Sequence, residues 1–136
     1  MRDIRYIVVH CTATDQTAKV DAIKRYWKDI LKWSRPGYHY IINANGIVEQ
    51  LQNEDLPSNG VSGFNSMSVN ISYIGGIDRD GKLVDNRTEQ QKRSLLSILK
   101  VLKAKYPKAE IRGHRDFPNV AKACPCFDAK KEYRDI

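Results

Sequence analysis

The chain has 136 residues and a formal net charge of +7, with 41% hydrophobic and 29% charged residues. The length fits one domain at the usual ~150 residues per domain, and the composition excludes a disordered tail or a collagen-like repeat. No apolar run approaches the ~20 residues needed to cross a bilayer, and Met1-Arg2-Asp3-Ile4-Arg5 leads into a β-like segment without the apolar stretch of a signal peptide. The expectation is a single domain over residues 1–136, without membrane insertion and cytoplasmic as synthesised.

In chain order, residues 4–9 form the first predicted strand. Its Tyr6-Ile7-Val8-Val9 stretch is apolar on both faces, as in a strand covered on both sides. Val20, Ile23, Trp27, Ile30 and Leu31 recur at three- and four-residue steps, which predicts a helix. Thr17 or Asp15 would cap it, and Pro36-Gly37 would stop the chain after it. Residues 38–42 and 47–51 flank Asn45-Gly46, the signal for a hairpin with a type I′ turn. Residues 53–68 are rich in Gly, Asn and Ser and read as a long loop, a feature usually functional in a compact domain. Residues 69–74 form another strand, ended by Gly75-Gly76.

Thr88 with Gln91 makes a capping box. It opens a second helix whose predicted buried stripe is Leu95, Leu96, Ile98, Leu99 and Leu102, stopped near Pro107. Residues 109–112 form a final strand, followed by irregular chain with a helical turn near the C-terminus. Strands alternating with two long helices predict an α/β or α+β domain with a central mixed β-sheet flanked by helices.

The balance of 23 Lys and Arg against 16 Asp and Glu permits a polyanionic partner such as nucleic acid or an anionic cell wall. It does not choose between them. The Lys-rich stretches (Lys92, Arg93, Lys100, Lys103, Lys105, Lys108) read as solvated helix faces. Three cysteines, an odd number without secretory context, argue against a disulfide framework.

The three histidines are His10, His39 and His114. His10 and His114 directly follow predicted strands, and sites on open α/β sheets collect beyond the carboxyl ends of strands. If those strands run parallel, both imidazoles emerge at the same end. Cys124 lies ten residues after His114, in Lys122-Ala123-Cys124-Pro125-Cys126. Two imidazoles and a thiolate form a catalytic zinc set with a fourth position open. Spacing alone leaves a second reading open, in which the histidines are hydrogen-bonded core residues and Cys124 is a small buried hydrophobe.

Four separated segments carry a resemblance. Val9-His10-Cys11-Thr12-Ala13-Thr14, Gly37-Tyr38-His39-Tyr40-Ile41-Ile42, Gly75-Gly76-Ile77-Asp78, and Gly113-His114 with Lys122-Ala123-Cys124-Pro125 follow one another along the chain. Together they resemble the zinc-dependent N-acetylmuramoyl-L-alanine amidases of the type 2 family, which includes amidase-type phage lysozymes and peptidoglycan recognition proteins. The resemblance implies a Zn2+ ion held by His10, His114 and Cys124, with Tyr38 and Lys122 assisting catalysis. It implies cleavage of the amide between N-acetylmuramic acid and L-alanine in peptidoglycan or soluble muropeptides, by a monomeric enzyme. A module of the same fold that binds muropeptides without cleaving them is the alternative. Some phage members of the family also inhibit RNA polymerase, and no surface in this sequence marks nucleic acid or polymerase binding. The missing leader fits a phage or prophage lysin that reaches the wall through a separate pore or other delivery, and equally a cytoplasmic recycling enzyme acting on soluble muropeptides.

His39 alternates with Tyr38 and Tyr40 and so reads as a packed or supporting residue rather than a ligand. Cys11 should face away from His10 for the same reason. Cys126 departs from the family's usual small residue after Cys-Pro, and could close the fourth metal position only by a bend that Pro125 disfavours. Many relatives carry His-Ala in the long loop where this chain has Asn59-Gly60, which leaves substrate recognition there open. Asn65 matches a retained position, with ligand binding and a turn role both open.

Overall fold

The computed structural model describes residues 2–136; Met1, the first residue of the leader reading, lies outside them. Among the described residues, five strands form one sheet: β1 (Tyr6–Cys11), β2 (Tyr40–Ile42), β3 (Val48–Gln50), β4 (Ser68–Tyr73) and β5 (Glu110–Gly113), in the spatial order β3-β2-β4-β1-β5. β1 pairs in parallel with both β4 and β5, β2 pairs in parallel with β4, and only β3 runs antiparallel. The sheet is mixed and carries helices, as the alternation of elements predicts.

β1 is central, and its side chains alternate between two covered faces. Ile7, Val9 and Cys11 join Leu95, Leu99 and Leu102 of α2 (Glu89–Lys105) in the larger core. On the other face Val8 packs with Val61 and Phe117, while Ile41 and Ile74 pack with Val20, Ile23 and Trp27. This two-sided burial explains why the β1 sequence is apolar without alternation.

The capping box at the start of α2 is formed as the spacing predicts. Thr88 Oγ1 accepts from the Gln91 backbone N–H at 3.0 Å, and Gln91 Oε1 accepts from the Thr88 N–H at 3.0 Å. Leu96 departs from the predicted stripe and is exposed, because Gln91, Leu95, Leu99 and Leu102 already fill the face against the sheet. Gln91 Nε2 donates to the carbonyls of Ile42 and Ile74, which ties α2 to the ends of β2 and β4.

The first helix is shorter and less regular than its periodicity predicts. α1 spans Val20–Arg25 and passes into a π-helical turn over Tyr26–Ile30, so Ile30 and Leu31 end up exposed. Its N-cap is Lys19, which makes no side-chain cap; Asp15 Oδ1 instead accepts from the Thr17 N–H at 2.7 Å, closing a turn ahead of the helix. The hairpin forms where expected, but Gly46 is the residue of its turn with positive φ, at +89°. The Gly46 N–H reaches the Asn43 carbonyl and the Asn43 N–H reaches Ile47. This is a three-residue connection ending in a left-handed glycine rather than a type I′ turn, which requires positive φ at two positions.

A short α3 (Ala129–Glu132) closes the chain against β5. Buried Arg87 holds it by pairing with Asp85 and Glu132 at 2.9 Å each, with its guanidinium stacked on Phe127. Among the described residues, no helix is long and apolar enough to cross a membrane.

Candidate metal centre

The parallel pairing of β1 and β5 sets Val9 beside Gly113. One residue further on, His10 and His114 therefore leave the same end of the sheet, and their ring centroids lie 4.9 Å apart. The chain after β5 returns Cys124 to this end, where its sulfur accepts from the Cys11 backbone N–H at 3.2 Å and lies 4.0 Å from His10 Nδ1. The ligand atoms of His10, His114 and Cys124 all lie within 4.8 Å of one another. Residues remote in sequence thus converge because the strands are parallel and the 114–124 segment folds back over their ends.

Electrostatics suit this set to a metal. Burial holds the His10 pKa down at about 4, and burial with the charges of His10 and Lys122 holds that of His114 at about 3. Both imidazoles are neutral at pH 7 and offer a lone pair. Hydrogen bonding from Cys11 pulls the Cys124 thiol below its ordinary value, with Lys122 adding to the effect and burial opposing it. Two neutral imidazoles and a thiol inclined to ionise are the donors that tetrahedral zinc takes at about 2.0–2.3 Å. The donor set fits the ion.

Tyr38 and Lys122 stand beside these donors. The Tyr38 ring packs 5.1 Å from that of His10 and 5.4 Å from that of Trp27, and its hydroxyl donates to the Cys11 carbonyl at 3.3 Å. Burial, with the nearby Cys124, pushes its pKa well above the ordinary tyrosine value, so it remains a neutral O–H donor. Lys122 is exposed, and its charge is felt by all three candidate ligands. Tyr38, Lys122 and the three donors line one cavity of about 200 Å³ with Trp27 and Trp33. That cavity shares Trp33, Asn59, Gly60, His114 and Lys122 with a groove of about 780 Å³.

Asn65 lines this groove, and its Oδ1 accepts from the Val61 N–H at 2.8 Å, closing a turn in the long loop. The turn role is therefore present in the structure. Cys11 faces the α2 core, away from the His10 ring, with its sulfur 3.9 Å from that of Cys126. Cys126 is directed there and toward the Gly76 carbonyl at 3.7 Å, outside the cluster of ligand atoms. His39 is fully buried and also outside the cluster, hydrogen-bonded to Ser58 and Leu56.

Asn70 and Ser58 escape the sequence reading. Asn70 Oδ1 lies 2.8 Å from His10 Nε2, and both Asn70 and Ser58 are fully buried. The available signal is an asparagine in the middle of the otherwise apolar Val69–Ile71 stretch of β4, a position where burial demands a hydrogen-bonding partner.

Residues 1–127 match the family described as N-acetylmuramoyl-L-alanine amidase. The chain is 40% identical over 124 residues to the endolysin of Enterobacteria phage K11, covering 90% of this chain and 81% of that protein. Among solved structures, the Ph2119 endolysin from a Thermus scotoductus MAT2119 bacteriophage superposes with a TM-score of 0.79 at 26% identity, covering 92% of this chain and 79% of that one. The amidase LysC from Clostridium intestinale URNW shares the fold, with a TM-score of 0.80 at 24% identity over 96% of this chain and 82% of its own.

Proposed function

Since the chain belongs to the N-acetylmuramoyl-L-alanine amidase family, we propose that it is a phage-type endolysin whose peptidoglycan amidase chemistry is carried by zinc on His10, His114 and Cys124. Its action is hydrolysis of the amide between the lactyl group of N-acetylmuramic acid and L-alanine. Residues 1–136 act as one monomeric catalytic unit, which meets the wall after release from the cytoplasm by a separate pore or delivery system. The observation that carries the reading is the convergence of the three donor atoms within 4.8 Å at the mouth of a groove.

The division of labour follows from what each residue can do. Zinc bound there supplies Lewis acidity, which lowers the pKa of water to about 7 and polarises the scissile carbonyl. His10 and His114, held neutral, and Cys124, inclined to ionise, keep the donors in the state that ligation needs. Tyr38 remains a proton donor throughout the neutral range and orients an oxygen at the reacting carbonyl. Lys122 places a positive charge where negative charge develops on that oxygen, a role typically worth about 2.7–4 kcal/mol. The groove beside them, lined in part by Trp33, Asn59 and Asn65, receives the glycan and stem peptide.

Incubating the zinc-loaded protein with purified peptidoglycan tests this reading. New L-alanine amino termini without new reducing sugar ends support it. New reducing ends instead, or zinc binding with no turnover, would defeat it; the latter result is the one a muropeptide-binding module would give.

A further inference from the structure

We infer that a buried hydrogen-bond chain through Asn70, Ser58 and His39 fixes the proton of His10 on Nε2 and so turns Nδ1 toward the metal position. The inference rests on the zinc reading above. It starts from two backbone groups whose roles are not in question. The Asn70 backbone N–H lies 3.0 Å from His39 Nδ1 and can only donate, so Nδ1 is an acceptor. The Leu56 carbonyl lies 2.7 Å from His39 Nε2 and can only accept, so that nitrogen carries the proton. Arg2 Nη2, 3.1 Å from the same nitrogen, donates to the Glu54 carbonyl at 2.6 Å.

The consequence passes outward one bond at a time. Ser58 Oγ is 2.9 Å from the same His39 Nδ1, whose one lone pair its hydroxyl shares with the Asn70 N–H as a three-centre bond, so its own lone pairs face Asn70. The group of Asn70 that meets Ser58 at 2.9 Å is therefore the amide N–H. That leaves Oδ1 facing His10 Nε2 at 2.8 Å, and an amide oxygen accepts only. The His10 proton sits on Nε2. Nδ1 keeps its lone pair, on the side where the Cys124 sulfur lies 4.0 Å away. His10, His39, Ser58 and Asn70 are each 0–1% exposed, so water does not compete for these bonds.

Gly60 is the second half of the device. A Cβ at position 60 would lie 2.2 Å from Asn70 Oδ1 and 2.3 Å from Asn70 Cγ. The Asn70 amide occupies the space of that missing methyl, so the two positions are coupled. Asn70 is thus a positioning residue for His10, and Gly60 is the vacancy that admits it.

Long-range 1H–15N correlation spectra of the metal-free protein at neutral pH read the tautomers directly. The expected result is Nε2–H with unprotonated Nδ1 for both His10 and His39. An Nδ1–H tautomer at His10 would overturn the inference, whatever the protein does with zinc. Chelator competition then reads affinity: Asn70→Ala should weaken zinc binding roughly 10–100-fold, and Asn70→Asp, which keeps the accepting oxygen, should restore most of it. Gly60→Ala should weaken binding in the native background and change it little in the Asn70→Ala background. A folded Asn70→Ala protein that binds zinc as tightly as the parent contradicts the inference. Wild-type protein with the expected tautomers but no zinc affinity would defeat the metal reading and leave the hydrogen-bond chain standing.

Discussion

Tyr38 and Lys122 stand beside the three donor atoms without belonging to them, so substitution separates metal retention from turnover. Tyr38→Phe removes the hydroxyl and keeps the ring that packs on His10 and Trp27. Lys122→Ala removes an exposed charge. Both variants should keep one zinc per chain, while kcat on peptidoglycan falls by about 10²–10³ for Lys122→Ala, the usual effect of losing an oxyanion-type donor. Metal analysis beside a turnover assay checks this, and loss of zinc in either variant would contradict the assigned roles. At this scale the sequence was informative where the chemistry demands a particular residue type. A thiol and two imidazoles at strand ends stand out, whereas Asn70 and Ser58 do not, because their meaning arises only from the hydrogen bonds that reach them. Asn59-Gly60 was visible as a departure from the family pattern. That a Cβ at position 60 would meet the Asn70 side chain needed three dimensions.

Among the elements, α2 is the one whose sequence and structure agree most closely, since the capping box and the 3.6-residue period are both local signals. Leu99 is fully buried against β1, so Leu99→Ala should cost about 2–5 kcal/mol. Thr88→Ala removes a cap worth about 1 kcal/mol. Urea unfolding of the two variants should give that order, and a larger loss for Thr88→Ala would contradict the packing described. The elements misread from sequence are those decided by tertiary contacts. The apolar period of the first helix runs on to Leu31, yet the helix widens at Tyr26, where Trp27 packs against Gly37 and Tyr38. The Asn-Gly pair located the hairpin correctly, but Ala44 and Gly46 are tied to Thr88 and Ser94 of the α2 end, and that docking accompanies a different turn.

For the molecule as a whole, the mixed sheet was legible from the alternation of strands and helices, while the strand order was not, because it depends on pairings between residues far apart. The same burial that assembles the site makes stability depend on pH. His10 and His39 have pKa values held at about 4 and His114 at about 3, against about 6.5 in the unfolded chain. Below pH 6.5 the unfolded state binds protons that the folded state refuses, so acidification favours unfolding. The metal-free protein should lose on the order of 1–2 kcal/mol for each of the buried His10 and His39 by pH 5, and less for the partly exposed His114, above the range where the carboxylates titrate. A urea midpoint that does not move between pH 6.5 and 5 would contradict this. Zinc on the proposed site, which needs the fold and neutral histidines, should hold the midpoint up over the same range.

Diffraction from zinc-soaked crystals at energies on either side of the zinc absorption edge addresses the centre itself. The expected map has one anomalous peak at bonding distance from His10 Nδ1, a ring nitrogen of His114 and the Cys124 sulfur, with no fourth side chain attached. A peak elsewhere on the chain, ligation of His10 through Nε2, or a fourth protein ligand such as Cys126 would contradict the account.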